Sequence, residues 1–285
     1  MPSRPAPSLG EGVRRKVRRE GQVIQRALAS QRDIHVAVHE ARKAVRRLRA
    51  LLALARPQLE DVEAADRALA GLGDGLSPLR DAHVLVTTAK TFAARNGERA
   101  WSPAIARLVA RRDALLGQAL ARDPGFKRRR AVVERAARQL EEIPWDELKP
   151  AQVRRELKRS VHRVAKAGKR AKAQPVPALL HRWRRRVRRL RMQLEGLARV
   201  APDLVKQAAS TSRGQGAKAL HRLGDRLGDR QDEQLLRNVL RRMRDLPGRA
   251  ELTSQLCQDD AAPPAPAASK RRRRATTSNQ GRGPT

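Results

Sequence analysis

The chain has a single cysteine, Cys257, three tryptophans, two phenylalanines and no tyrosine. One cysteine excludes an intramolecular disulfide and fits a reducing, cytoplasmic setting. Aromatics at 2% leave few rings on which unpaired bases could stack, as proteins that hold single strands or RNA loops require. Long apolar runs are missing, so the sequence offers no membrane span. Met1–Gly10 has no apolar h-region, so no secretory signal is expected. Acidic residues are scarce: 29 against 64 lysines and arginines, a net charge of +35. A field of that size and sign selects polyanionic partners. No Gly-rich phosphate loop of the Walker type is present, and no Ser–His–Asp order stands out. The expectation is a binding protein with no enzymatic activity and no cofactor.

Hydrophobic residues make up 40% of 285, dominated by Leu, Val and Ala, which is enough for a folded helical core. One stretch occurs twice. His39, Arg42, Val45, Arg46, Arg47, Leu48 and Arg49 are repeated, each 142 residues on, as His181, Arg184, Val187, Arg188, Arg189, Leu190 and Arg191. Leu52 and Leu194 extend the match. Residues three, four and seven apart share a helix face. Val38, Val45, Leu48 and Leu52 then form an apolar stripe. His35, His39, Arg42, Arg46 and Arg49 form a basic row beside it. The second copy sets Leu180, Trp183, Val187, Leu190 and Leu194 against His181, Arg184, Arg188 and Arg191. Like charges one turn apart destabilise a helix, so a row this long implies a compensating polyanion. The competing view is a merely solvated basic face. Most cations are Arg, whose planar fork grips phosphate oxygens bidentately.

Along the chain, residues 1–10 read as a flexible N-terminus, and helices are expected from about 11–29, from Asp33 as N-cap to Pro57, and over 58–71. Leu72-Gly73-Asp74 leads to Ser77, expected to cap a helix whose opening turns carry Arg80, Asp81 and His83. Further helices are expected over 103–121 and 127–142, divided at Asp123-Pro124-Gly125. The first copy is placed at 11–122, a connecting segment at 123–148 and the second copy at 149–247. Leu223 to Asp232 matches Leu72 to Asp81 at an offset of 151, with extra residues expected in a 210–216 loop. From about 258 the chain turns to Ala, Pro, Ser and Gly around Lys270–Arg274 and reads as a disordered basic tail.

The His39 row, the Arg80-Asp81 turn and their copies at His181 and Gly228–Asp232 resemble the CHAD family, the conserved histidine α-helical domain, over roughly residues 11–245. The resemblance implies an all-α fold of two four-helix bundles related by internal duplication, with linking helices. It implies binding of inorganic polyphosphate, and with it a place at polyphosphate granules. The binding residues implied by position are His35, His39, Arg42, Arg46, Arg49, His181, Arg184, Arg188 and Arg191. His221, before the second Leu-Gly-Asp, also fits the family pattern. Its first-copy counterpart is not a histidine, and Arg80 is matched by Gln231.

The alternative reading is a non-specific DNA- or RNA-binding protein. Its net charge and the Lys270–Arg274 tail suffice for phosphate contacts with nucleic acid. A metal at His35 and His39, one turn apart, would need further ligands, and the sequence supplies neither cysteines nor a convincing acidic cluster beside them.

Overall fold

The computed structural model describes residues 8–211 and 216–261 and contains no strand among them. The chain is all-helical: α1 (Leu9–Ala29), α2 (Ile34–Ala55), α3 (Val62–Gly75), α4 (Ser77–Asn96), α5 (Glu98–Arg122), α6 (Lys127–Glu141), α7 (Pro150–Ala173), α8 (Pro177–Leu197), α9 (Pro202–Thr211), α10 (Ala217–Arg242) and α11 (Arg249–Ala261). Short 3-10 turns lie at Pro124–Phe126 and Trp145–Glu147. None of these helices is long and apolar enough to cross a membrane. Lys270–Arg274 lies outside the described residues.

Several boundaries differ from the sequence reading. Helix α1 starts at Leu9 because Ser8 and Glu11 form a reciprocal capping box, Ser8 accepting from the Glu11 N–H and Glu11 from the Ser8 N–H. Asp33 caps α2, as expected, by accepting from the backbone of His35 and Val36. Ser77 does not cap α4: Leu76 holds that position, and the Ser77 hydroxyl donates to the Gly73 carbonyl at 3.0 Å. Only Leu76 separates α3 from α4, and it keeps a helical backbone with the i to i−4 bonds running through it, so the two continue almost as one helix along α2. Helix α5 starts at Glu98, upstream of Pro103, which lies inside the helix and leaves the Arg99 carbonyl without its i+4 donor. Ser210 and Thr211 continue α9. Helix α11 occupies a stretch left unassigned from sequence.

The apolar stripes are buried. Val38, Val45, Leu48 and Leu52 are all at or below 2% exposure, as are Val187, Leu190 and Leu194 in α8. They enter a large core that also draws on α1, α3, α6, α7, α9 and the start of α10. A second core joins the later part of α4 and α5 to the end of α10 and to α11. Each core therefore mixes residues from both sequence copies.

Close approaches set the helix geometry. Gly10 lies against the Trp145 carbonyl, where a Cβ would sit 1.9 Å from the oxygen. Gly196 admits Leu51 of α2 between α2 and α8, and the buried Gln193 amide donates to the Ala50 carbonyl at 3.3 Å. These contacts advance together along both helices, so α2 and α8 run side by side in the same direction. Helix α4 packs antiparallel to α2, and α10 antiparallel to α8: His35 meets His83 while Arg42 meets Ser77, and Val187 meets Gly224 while Arg184 meets Gly228. With α4 also touching α10, the four helices α2, α4, α10 and α8 close a ring.

Candidate functional site, an arginine cluster between four helices

The two duplicated motifs make the same local pairing. Gly73, of the first Leu-Gly-Asp, faces Val45, with 3.4 Å from its hypothetical Cβ to the valine methyl. Gly224, of the second, faces Val187 at 3.7 Å. The small residue lets α3–α4 and α10 approach the His–Arg helices closely. The arginine one turn earlier is then held against the incoming chain. Arg42 donates to the Gly73 carbonyl and to the Ser77 hydroxyl. Arg184 donates to Gln231 Oε1 at 2.9 Å and lies 3.7 Å from Asp232. Gly228, at the place equivalent to Ser77, leaves room for the Arg184 guanidinium, which a Cβ would approach to 2.9 Å.

Arg80 of α4 completes the arrangement. Its Nη1 contacts Asp81 at 3.1 Å and Asp232 of α10 at 3.5 Å. It thereby ties the two halves of the chain across the ring. In the sequence the Arg80-Asp81 turn belongs to the motif, but Arg80 is not among the binding residues implied by position, and Gln231 opposite it puts that position in doubt in the second copy. The structure puts Arg80 at the centre, and Gln231 instead serves Arg184. The signal that could have found it was the Arg80-Asp81 pair itself, at the mouth of a helix facing a basic row.

Arg46 and Arg188, one turn further along α2 and α8, have neither a hydrogen bond nor an ion pair among the described residues, and the Arg46 Nε is buried with no acceptor. Burial pushes Arg46 well below the ordinary arginine value, to about 9, and the guanidiniums of Arg188, Arg42, Arg80 and Arg184 push in the same direction. Arg188 is pushed down to about 10 by burial and by Arg184, Arg80 and Arg42, with Asp232 opposing. Arg42 and Arg184 are also lowered by burial, but Asp81 and Asp74 oppose this for Arg42, and Asp232 and Asp229 for Arg184. Arg46 alone has no carboxylate among its main neighbours. Five partly or fully buried guanidiniums thus converge on two contacting carboxylates, Asp81 and Asp232. A cluster of like charges away from water is costly unless an anion enters it.

His39 belongs to this cluster. It is half-buried, and burial holds its imidazole below the usual histidine range; Glu40 opposes, while Arg46, Arg80 and Lys43 add to the lowering. Other residues implied by the motif lie apart. Arg49 makes a two-point ion pair with Asp66 of α3, at 2.7 and 3.3 Å. Arg191 faces Glu195 on its own helix at 3.7 Å. His181 lines a small cleft with Leu227, Gln231 and Gln234 of α10. His221 is exposed and its Nδ1 sits 2.7 Å from Asp225. His35 turns to His83 of α4, ring over ring with centroids 5.2 Å apart. His35 and His39 therefore look to different neighbours, and no group of three or more His, Cys, Asp or Glu able to hold a metal occurs among the described residues.

Three comparisons bear on this arrangement. A family model, described as the CHAD domain, matches residues 15–241. A crystal structure of the CHAD domain from the plant Ricinus communis is similar in fold, with a TM-score of 0.65 at 22% identity, covering 90% of this chain and 88% of that one. No curated protein matches the chain. With the match spanning both copies of the His–Arg helix and the Arg80 turn between them, the chain belongs to the CHAD family.

Proposed function

We propose that the chain binds inorganic polyphosphate, without acting on it chemically, in the ring formed by α2, α4, α8 and α10. The observation that carries this reading is the pair Arg46 and Arg188: partly buried, cationic at neutral pH and lacking any anionic contact in the folded chain. Such groups destabilise the fold on their own and are compensated by an incoming anion. The anion must be dense in charge, because five guanidiniums from four helices meet in one place. Recognition would run through phosphate oxygens, since the Phe and Trp ring contacts among the described residues, Phe92 with Trp101 and Phe126 with Arg129, belong to other parts of the fold. A linear phosphate chain meets both conditions. Arg42, Arg46, Arg80, Arg184 and Arg188 would grip it, His39 would donate at one side, and Asp81 and Asp232 would hold Arg80 and Arg184 in place. Retention at polyphosphate granules would follow from such binding.

Competition decides between polyphosphate and nucleic acid. Long-chain polyphosphate, duplex DNA and RNA are compared at matched phosphate concentration and salt. Polyphosphate is expected to win by more than tenfold, and Arg46→Gln with Arg188→Gln should remove that advantage. Equal binding of all three, unaffected by the double change, would assign the net charge to non-specific nucleic-acid binding instead.

A further inference from the structure

One turn before His39 on α2 and one turn after Arg80 on α4, two histidines stack where α2, α4 and α5 meet. The rings of His35 and His83 lie 5.2 Å apart and within 14° of parallel. His35 Nε2 is 3.7 Å from Asp113 Oδ1 of α5, and Arg112 Nε binds the same carboxylate oxygen at 2.8 Å. Asp33 is engaged elsewhere, accepting from the backbone of His35 and Val36. The charged and titratable groups facing the pair are therefore Asp33 at the start of α2, Arg80 on α4, and Arg112 and Asp113 on α5. His35 begins the first basic row, but no sequence motif pairs it with His83 or with Arg112 and Asp113.

The two rings are not equivalent. His83 Nδ1 is buried and has no hydrogen-bond partner. A proton there would find no acceptor, so His83 is held neutral with its proton on Nε2. His35 has a carboxylate beside Nε2 and can carry a second proton. Burial keeps both imidazoles below the usual histidine range. For His35, Arg112 adds to the lowering while Asp113 and Asp33 oppose it. For His83, His35, Arg112 and Arg80 add to it and Asp33 opposes. In the free protein near neutral pH the pair is therefore uncharged beside Arg112.

We propose that the stacked His35–His83 pair, with Arg112, is a second phosphate subsite that continues the arginine cluster toward α5 and takes up a proton on His35 when a phosphate group occupies it. This rests on the polyphosphate reading of the cluster. His83 donates from Nε2, Arg112 exchanges Asp113 for the phosphate, and His35 becomes the added cation. A phosphate chain lying in the ring then gains affinity as the solution becomes more acidic. An anion beside His35 raises its proton affinity above that of the free state. Between the two values the complex holds more protons than the free protein, so affinity rises as pH falls through that window. It levels off below the free-state value.

Titration calorimetry of the full chain with long-chain polyphosphate tests this at about pH 8 and pH 5.5, where one linked proton gives up to about tenfold per pH unit within the window. Measurements near pH 6.5 in two buffers of different ionisation heat count the protons taken up. Wild type should bind several-fold more tightly at the acid pH, with net proton uptake. His35→Gln should lose the net proton uptake and roughly three- to tenfold of the acid gain. His83→Gln should weaken binding at both pH values while His35 still takes up its proton. Titration of the phosphate chain ends and of His39 is common to wild type and variants and cancels in the comparison. Circular dichroism confirms that each variant is folded. A folded His35→Gln with wild-type proton uptake and wild-type acid gain overturns the subsite and leaves the arginine reading intact. Wild type that binds at pH 8 with no acid gain does the same. No binding at either pH overturns both.

Discussion

Replacing Arg46 by Met should move fold stability and ligand affinity in opposite directions. Met keeps the unbranched apolar stem as far as the Nε position and removes the charged head. A guanidinium pushed by burial from the ordinary arginine range down to about 9 is disfavoured in its charged form by several kcal/mol, at about 1.36 kcal/mol per pH unit. Water penetration and side-chain relaxation reduce that figure. Swapping buried charges for apolar groups of similar volume typically recovers about 1–4 kcal/mol, and about 2 kcal/mol is expected here. For a domain of this size each kcal/mol moves Tm by roughly 2–4 °C, so the variant should melt about 4–8 °C above wild type at pH 7. The sign follows from linkage. At neutral pH the group is protonated in the folded and unfolded chain alike, and the full penalty is present. From about pH 9 upward the folded state loses the proton first, so the penalty fades as pH rises toward the unfolded value. Scanning calorimetry of wild type and Arg46→Met, each with and without polyphosphate, measures both effects. Saturating polyphosphate at about a hundred times Kd should raise the wild-type stability by roughly 2.7 kcal/mol and the variant by clearly less. A variant that melts below wild type, or that gains as much from polyphosphate, refutes the view that Arg46 is an uncompensated cation awaiting an anion.

Other outcomes test neighbouring parts of the structure. Gly10→Ala should destabilise the fold by about 2 kcal/mol or more in a denaturant titration, because the new methyl meets the Trp145 carbonyl and backbone cannot give way as a side chain can. Arg49→Gln should cost about 1 kcal/mol of stability through the lost Asp66 pair, while weakening polyphosphate binding much less than Arg42→Gln in the same titration. Asp232→Asn removes the carboxylate that holds Arg184 and, with Asp81, Arg80 in place and should weaken polyphosphate binding several-fold; tighter binding would make Asp232 a competitor of the anion and not a support. Ending the chain at residue 248 removes α11 with its buried Leu252 and Leu256 and should cost about 3 kcal/mol or more, read as an early melt by circular dichroism.

The parts of the molecule that repeat were the parts legible in advance. Val45, Leu48, Val187 and Leu190 carry a helical period and a second copy, and all four are buried. The convergence of Arg42, Arg46, Arg184 and Arg188 follows from the same rows once the helices lie side by side. Features that break the repeat were harder to see. Arg80 has a glutamine opposite it, so the repeat gives no second arginine to mark it as part of the site. His83 is a lone histidine whose meaning depends on a ring from another helix. Arg49 looked like its neighbours in the row, but its partner Asp66 lies on α3, 17 positions away and across a helix turn. Helix α11 has only Leu252 and Leu256 to mark an apolar face, too little periodicity to stand out in a short polar stretch.

The mixing of both copies in each core also bears on how the chain acquires its structure. The Ala50 carbonyl waits for Gln193, and Trp101 Nε1 bonds Gln255 at 2.9 Å across 154 positions. Contacts so distant in sequence impose a loop-closure cost before they reward it, and they slow folding. At a synthesis rate of about 5–20 residues per second, the α4–α5 hairpin spends several seconds with one side of its core uncovered before α11 is made. Local pairs such as α1 with α2 can form early, but neither interior closes until late helices arrive. The arginine ring likewise assembles only when α8 and α10 join α2 and α4. A nascent chain therefore exposes apolar surface on the ribosome before it can offer a finished anion site, and chaperone demand should fall on that interval.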